Sequence, residues 1–457
     1  MLRSVWTATM LLAAVGSHAA STAFVNVNVL PMTTNNVLRA QTVLVVAGKI
    51  TAIGAVDSIP IPDEATVVDG TDRFLMPGLA EMHGHVPGAA SEELDSTLAL
   101  YVANGVTIVR GMLGDPSHLQ LRKAIRNGRT LGPRLVTSGP SFNGNSVDGP
   151  AEAARMVREQ RDAGYDFLKI HPGLSRAEFA AVAETANRLG IPFGGHVPEN
   201  VGIQAALDAG MATIDHLDGY LQALLPPNVD PSGGLGGFFG VLVAGAADEA
   251  KIEPLARATA ASGVWIVPTE TLFEHVTSAV DADEMAAWPE MNYVPAGTVD
   301  EWKNRKRDIM NDAGFDPAVA ARAIELRRKL IVALHESGAG LLLGSDSPQI
   351  FNVPGFSVHR ELKLLVEAGL PAFEALKTGT VNPAAFLGET GRFGTVEPGA
   401  VANLLLLDDN PLLNIDNTRR IHGVMLRGRW LTREHLDRML AEFCRSQNCN
   451  RLATRGI

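Results

Sequence analysis

The chain has 457 residues, 46% of them hydrophobic and 19% charged, and a formal net charge of −11. That length is too great for one small core and points to a large domain accompanied by a smaller one. The acidic balance argues against nucleic acid as a partner, because a phosphate backbone is met by a basic footprint and this sequence has none.

Residues 1–20 read as a secretory signal. Arg3 supplies a positive start, Val5–Val15 an apolar run too short to span a membrane, and Ser17-His18-Ala19 a small-residue cleavage site. The expected location is periplasmic or extracellular. No later apolar run reaches about 18 residues, so no membrane-spanning helix is expected.

In residues 21–73, short strands are expected at Phe24–Val29, Thr42–Val46, Lys49–Ile53 and Thr66–Asp69, rich in β-branched residues and punctuated by turns. From residue 74 to 392 apolar runs alternate with helical patterns that stop at glycines. The expected helices Ala151–Ala163 and Arg176–Leu189 end at Gly164 and Gly190. Counting the run that ends at His85, eight strands alternate with helical or turn segments, and this predicts a (β/α)8 TIM barrel. Leu221–Ala247, rich in Gly and Pro, reads as a mobile loop. Residues 271–316 form a long insert with Trp288, Tyr293 and Trp302; inserts of this length usually serve as lids or binding loops. Apolar strands in residues 393–435 are expected to return to the N-terminal strands and complete a small β-sandwich domain, leaving 436–457 as a tail. The only cysteines, Cys444 and Cys449, lie in that tail. Export would permit a disulfide between them, two free thiols being the alternative.

The chemistry gathers at the ends of the expected strands. In Met76-Pro77-Gly78-Leu79-Ala80-Glu81-Met82-His83-Gly84-His85 the two histidines are i and i+2, so on a strand they point the same way. Two such imidazoles make half of a divalent metal site, or else a hydrogen-bonded pair at a turn. Lys169, His196, His216 and Asp346 close other strands, and in a barrel those ends face the active-site mouth. Lys169 lies among apolar residues in Asp166-Phe167-Leu168-Lys169-Ile170, where burial lowers the pKa of an ammonium. A neutral amine there can add carbon dioxide and become an anionic carbamate with two oxygens able to bridge two metals; the alternative is a lysine paired with an acid. Four weaker candidates for contacting substrate are Arg110, which ends the second strand, Tyr220 beyond His216, His171 on the face of Lys169, and His359.

These motifs resemble the amidohydrolase superfamily, in its secreted imidazolonepropionase-like and prolidase-like (Xaa-Pro dipeptidase-like) branch. The resemblance rests on Met76–His85, Asp166–Ile170, Gly195–Pro198, Thr213–Tyr220 and Gly344–Asp346, together with Thr380–Ala384, Gly394–Gly399 and Asp409–Leu412. It implies two divalent ions: one on His83, His85 and Asp346, the other on His196 and His216, with carboxylated Lys169 between them. Zinc suits this ligand set, which also admits manganese or cobalt. It further implies that a water activated by both ions attacks a small-molecule amide, a dipeptide or N-acyl amino acid, with Asp346 as the catalytic base. A cyclic amide or lactone hydrolase with the same site is the nearest alternative, and a barrel that binds metal or ligand without turnover is a more distant one. A homo-oligomer is compatible with the sequence. Three positions depart from the family's usual pattern: Glu81 and Asn403 stand where it often has Asp, and Gly111 follows Val109-Arg110 where an Asp is common.

Overall fold

A computed structural model describes residues 21–227, 229 and 237–446 of the chain. The segment read as a signal and Cys449 of the expected disulfide lie outside these residues. No helix among the described residues is long and apolar enough to cross a membrane.

The two ends of the chain build one sheet of eight strands. Its path runs Arg429–Thr432, Ile421–Leu426, Leu404–Leu407, Phe74–Pro77, Ser21–Val29, Leu38–Val46 and Lys49–Ala55, with Thr66–Asp69 pairing in parallel to Ser21–Val29. Phe74–Pro77 joins the halves, parallel to the first strand of the chain and antiparallel to the apolar run Leu404–Leu407. Phe24, fully buried, meets the Trp430 ring edge-on with centroids 5.1 Å apart, so residues four hundred positions apart share one core.

Between these ends lies the α/β part. Three parallel strands, Leu79–Gly84, Val106–Gly111 and Arg134–Thr137, form one sheet. Leu168–Ile170, Phe193–Gly195, Thr213–Asp215 and Trp265–Val267 form another, also parallel. Isolated parallel bridges at Ser138–Phe167, Ile266–Leu341 and Gly84–Ser347 lie along their margins. The expected eighth strand, around 340–346, is not a regular strand. Its backbone is drawn close to its neighbours: a Cβ on Gly344 would lie 2.4 Å from the Val267 side chain and 2.8 Å from His83 Cβ. Asp346, with φ of 59°, then turns it out of extended geometry.

The helices follow local signals closely. Arg176–Leu189 opens on a reciprocal capping box of Ser175 and Glu178 and closes on Gly190 in the left-handed conformation. The insert is largely helical, at Glu270–Thr277, Ala282–Ala286 and Ala296–Asn311. Its Trp288 and Trp302 pack edge-on to Phe351, on the chain just beyond Asp346, and the Arg360 guanidinium lies 3.7 Å over the Trp288 ring. The stretch read as a mobile loop holds a short helix, Tyr220–Ala223, and a kinked 3-10 segment, Phe238–Ala246.

Joining the two chain ends through one apolar contact has a measurable consequence. Phe24→Ala should cost about 3–5 kcal/mol of stability, read as a lower guanidinium midpoint. An unchanged midpoint would mean that the terminal strands do not share a core.

Candidate active site

The strand ends bring the histidines together. The His83 and His216 rings are 4.5 Å apart between centroids, His196 and His216 also 4.5 Å, and His83 and His85 5.8 Å. Asp346 faces this group: its Oδ1 is 2.8 Å from His85 Nε2 and 3.6 Å from His83 Nε2, and its Oδ2 is 3.6 Å from His216 Nδ1. His83, His85 and Asp346 offer donor atoms that all lie within 4.8 Å of one another, compact enough for one cation. Lys169 is fully buried, and its Nζ has no hydrogen-bond partner. Gly195 makes room for it, since a Cβ there would lie 2.9 Å from Lys169 Cδ and 2.5 Å from the Ile170 carbonyl oxygen.

A second set of residues orients the imidazoles. His83 Nδ1 lies 2.7 Å from Asp215 Oδ2, a close ion-pair contact that is not aligned as a hydrogen bond. His196 Nδ1 lies 3.1 Å from Asp218 Oδ2, and His216 Nδ1 lies 2.8 Å from Thr269 Oγ1. In all three rings Nδ1 has a contact on the protein; in His83 this leaves Nε2 turned towards Asp346, whereas in His216 it is the Nδ1 edge that lies nearer Asp346 than Nε2 does. For His216 that Nε2 is buried with no partner at all. A buried imidazole nitrogen and a buried amine left unsatisfied beside a carboxylate are costly unless something else engages them. The donor set therefore fits divalent cations.

Charge in this space follows from burial. Burial lowers the Lys169 pKa to about 8, against the opposing pull of Asp215 and Asp346. It also lowers His83 to about 4 and holds His171 and His216 well below the usual imidazole range, Lys169 adding to the effect. Burial works against ionisation of Asp346, but His83 and His85 outweigh it and keep the carboxyl well below its ordinary range. Glu81 is pushed up to about 8 by burial, although it accepts hydrogen bonds from the backbone of His83 and Ser345.

The backbone at these strand ends is unusual. His216, Thr269 and Asp346 have φ of 66°, 49° and 59°, in the left-handed region that favours glycine. Arg327, fully buried on the helix Pro317–Glu336, donates to the carbonyls of His216 at 2.6 Å and Pro268 at 2.8 Å and pairs with Glu270 at 2.8 Å. It ties the turns after two adjacent strands to one another.

Of the four substrate candidates, only His171 stands beside the cluster, its ring 5.1 Å from His196. Arg110 is corrected: its guanidinium is buried, 3.0 Å from Asp215 Oδ2 and 2.9 Å from Thr213 Oγ1, and lies 5.1 Å over the Phe167 ring. It is engaged by the protein and does not present a free cation to substrate. Tyr220 is corrected too. Its hydroxyl bonds Thr259 Oγ1 at 2.8 Å and its side chain is buried, because the left-handed residues His216, Leu217 and Gly219 turn the chain away before it. His359 sits buried on the helix Phe356–Ala368 between Thr418 Oγ1 and the Asn104 carbonyl, which makes it a packing residue rather than one at the mouth. The sequence reading missed Asp215, Asp218, Thr269, Gln349, Phe239 and Arg327. Asp215 and Asp218 flank His216 in Thr213-Ile214-Asp215-His216-Leu217-Asp218, so their signal was present; Gln349, whose Nε2 donates to Asp346 Oδ1 at 2.6 Å, follows Asp346 by three residues.

The corrected place of Arg110 can be tested. Arg110→Met strands Asp215 as a buried carboxylate without its strongest partner, which should cost about 3–5 kcal/mol. Chemical denaturation measures this, and a variant as stable as the parent would remove the ion-pair account.

Comparisons with known proteins give the family and the fold. The amidohydrolase family model matches residues 74–431. Among solved structures, a bottromycin amidohydrolase is 25% identical with a TM-score of 0.71, over 93% of this chain and 90% of that one. A putative prolidase from Bifidobacterium longum is 22% identical with a TM-score of 0.68, over 93% and 99% respectively. A Xaa-Pro dipeptidase with bound methionine in its active site is 19% identical with a TM-score of 0.65, over 90% and 100%. No curated protein matches the sequence significantly. With its family model spanning the α/β part and the C-terminal half of the terminal sheet, well over half of the chain, the chain belongs to the amidohydrolase family.

Proposed function

We propose that the chain hydrolyses the C–N bond of a small amide, a dipeptide or an N-acyl amino acid, at two divalent cations, most suitably zinc. The observation that carries this reading is the convergence of His83, His85, His196, His216, Lys169 and Asp346, with His216 Nε2 and Lys169 Nζ buried and unpartnered. His83, His85 and Asp346 would hold one ion and His196 and His216 the other, with Lys169, as its carbamate, between them. A buried amine with a pKa lowered to about 8 is far more available to carbon dioxide than an exposed lysine, which supports the carbamate. When bound, a pair of such cations acidifies water and polarises a substrate carbonyl.

The protein's own groups do the rest. The Asp346 carboxylate, its pKa held well below the ordinary range and its Oδ1 hydrogen-bonded by His85, accepts a proton from the attacking water and returns it to the leaving amine nitrogen. Gln349 and His85 hold Oδ1 of that carboxylate, which leaves Oδ2, with only the longer contact to His216, as the oxygen to take the proton. Asp215, Asp218 and Thr269 fix the orientation of the imidazoles through their Nδ1 atoms. The prolidase and dipeptidase names of two structural neighbours support a small amide as substrate. The same reading takes the two parallel sheets as parts of one (β/α)8 barrel, supported by the bridges at their margins, and the terminal sheet as a sandwich folded on itself. It also places the protein outside the cytoplasm, on the strength of the N-terminal sequence pattern.

Two substitutions test the division of labour. Lys169→Ala should lose metal and activity together. Asp346→Asn, reconstituted with zinc, should keep its fold and lose at least about 10²-fold in kcat with a smaller change in KM. The measurements are metal analysis and steady-state kinetics on a dipeptide panel. Full two-ion content in Lys169→Ala, or near-parental kcat in Asp346→Asn, would defeat the assignment concerned.

A further inference from the structure

Phe239 lies directly on the histidine cluster. Its ring stacks on His216 with centroids 4.7 Å apart and planes 7° from parallel, and on His196 at 5.9 Å and 28°. The residue is held there by an unfavourable backbone, φ 48° and ψ 36°, at a kink it shares with Gly240 inside a 3-10 segment. A bulky residue in that region is an outlier, and such strain persists only where the surroundings impose it. Gly240 completes the kink at φ 82°, where a Cβ would lie 2.7 Å from Gln222 Oε1 and 3.0 Å from Leu221 Cβ. The fold therefore maintains a strained turn whose product is one aromatic ring set against two imidazoles. Phe239 is only half-buried, so the residue remains partly open to solvent. Phe238 stands 4.2 Å from it, between centroids, and lines a cleft of about 400 Å³ with Val241, Val276, Ile309 and Phe315. Phe238 thus links the ring on the cluster to a cleft that is mainly apolar, with Asp308, Asp312 and Asp316 also on its wall, while Arg110 and Tyr220, two of the candidates for contacting substrate, are engaged inside the protein.

We propose that Phe239 is a specificity-determining residue: an aromatic wall beside the reacting amide that selects substrates carrying an apolar, and best an aromatic, side chain next to the scissile bond. This rests on the amide-hydrolysis reading above and names the substrate class within it. A flat apolar side chain gains contact and ring stacking against Phe239; a glycine side gains neither.

The experiment uses the zinc-loaded full chain and two short dipeptide series, Gly-Gly, Leu-Gly and Phe-Gly, then Gly-Leu and Gly-Phe. It compares the parent with Phe239→Ala and Phe239→Leu. The readout is the ratio of kcat/KM for the aromatic dipeptide to that for Gly-Gly within each protein, which cancels any inactive fraction. The parent should favour the aromatic side chain in at least one series. Phe239→Ala should lower that ratio about tenfold, the upper end of what one aromatic pair contributes. Phe239→Leu should keep the preference for leucine and lose the extra preference for phenylalanine. In parallel, calorimetry measures binding of non-hydrolysable phosphinate analogues of the same dipeptides. If no dipeptide is cleaved but the analogues bind with a Phe239-dependent aromatic preference, the amide-hydrolysis reading fails and the aromatic wall stands. A parent without aromatic preference in either assay, or a Phe239→Ala protein that retains it, overturns the proposal.

Discussion

The site depends on one buried carboxylate, that of Asp215. It lies between the Arg110 guanidinium at 3.0 Å and His83 Nδ1 at 2.7 Å, with none of its side chain exposed. Burial opposes its ionisation, but Arg110 and then His83 outweigh that penalty and hold its pKa well below the ordinary range. A fixed anion on Nδ1 sets the tautomer and tilt of His83 and turns Nε2 towards Asp346. Arg110 thus acts on the cluster without touching it: it keeps Asp215 charged, and Asp215 keeps His83 in place. A buried charge of this kind is weak evidence for net stability, but removing one of its partners is costly because the other charge is left uncompensated.

The strained turns are a second expression of the same demand. His216 and Thr269 leave extended geometry just after their strands end, and Asp346 does so after an irregular apolar stretch, which breaks the alternation of faces that a continuing strand would impose. Arg327 fastens two of those turns through their carbonyls, so a helix of the outer layer holds the inner cluster. His83 and Lys169 lie on short, buried strands and His85, His196 and His216 directly follow strand ends, and rigid elements of this kind position a site more accurately than loops.

How much of this the sequence disclosed follows from the physics of each residue. His83, His85, Lys169, His196, His216 and Asp346 were legible because each directly follows an apolar run, and most of those runs begin after a glycine-stopped helix. Arg110 occupies an equivalent strand position, yet its direction depends on sheet pairing and on the acid opposite it, and single-strand periodicity carries neither. Tyr220 lies beyond three left-handed residues, so no strand period can be carried through to it. The eighth strand was over-read, because Gly340-Leu341-Leu342-Leu343-Gly344 has the composition of a strand while its glycines serve close packing against Trp265 and Val267. Phe239 was hidden for a different reason. Its role comes from a kinked backbone in a Gly-rich stretch, where composition signals only a loop.

The central claim, two cations bridged through Lys169, is tested most directly by anomalous diffraction at the zinc edge from crystals grown with zinc and bicarbonate. The account predicts two peaks, one against His83, His85 and Asp346 and one against His196 and His216, with electron density extending beyond Lys169 Nζ to lie between them. A single peak, or a Lys169 side chain that ends at its amine and pairs with an acid, would contradict it.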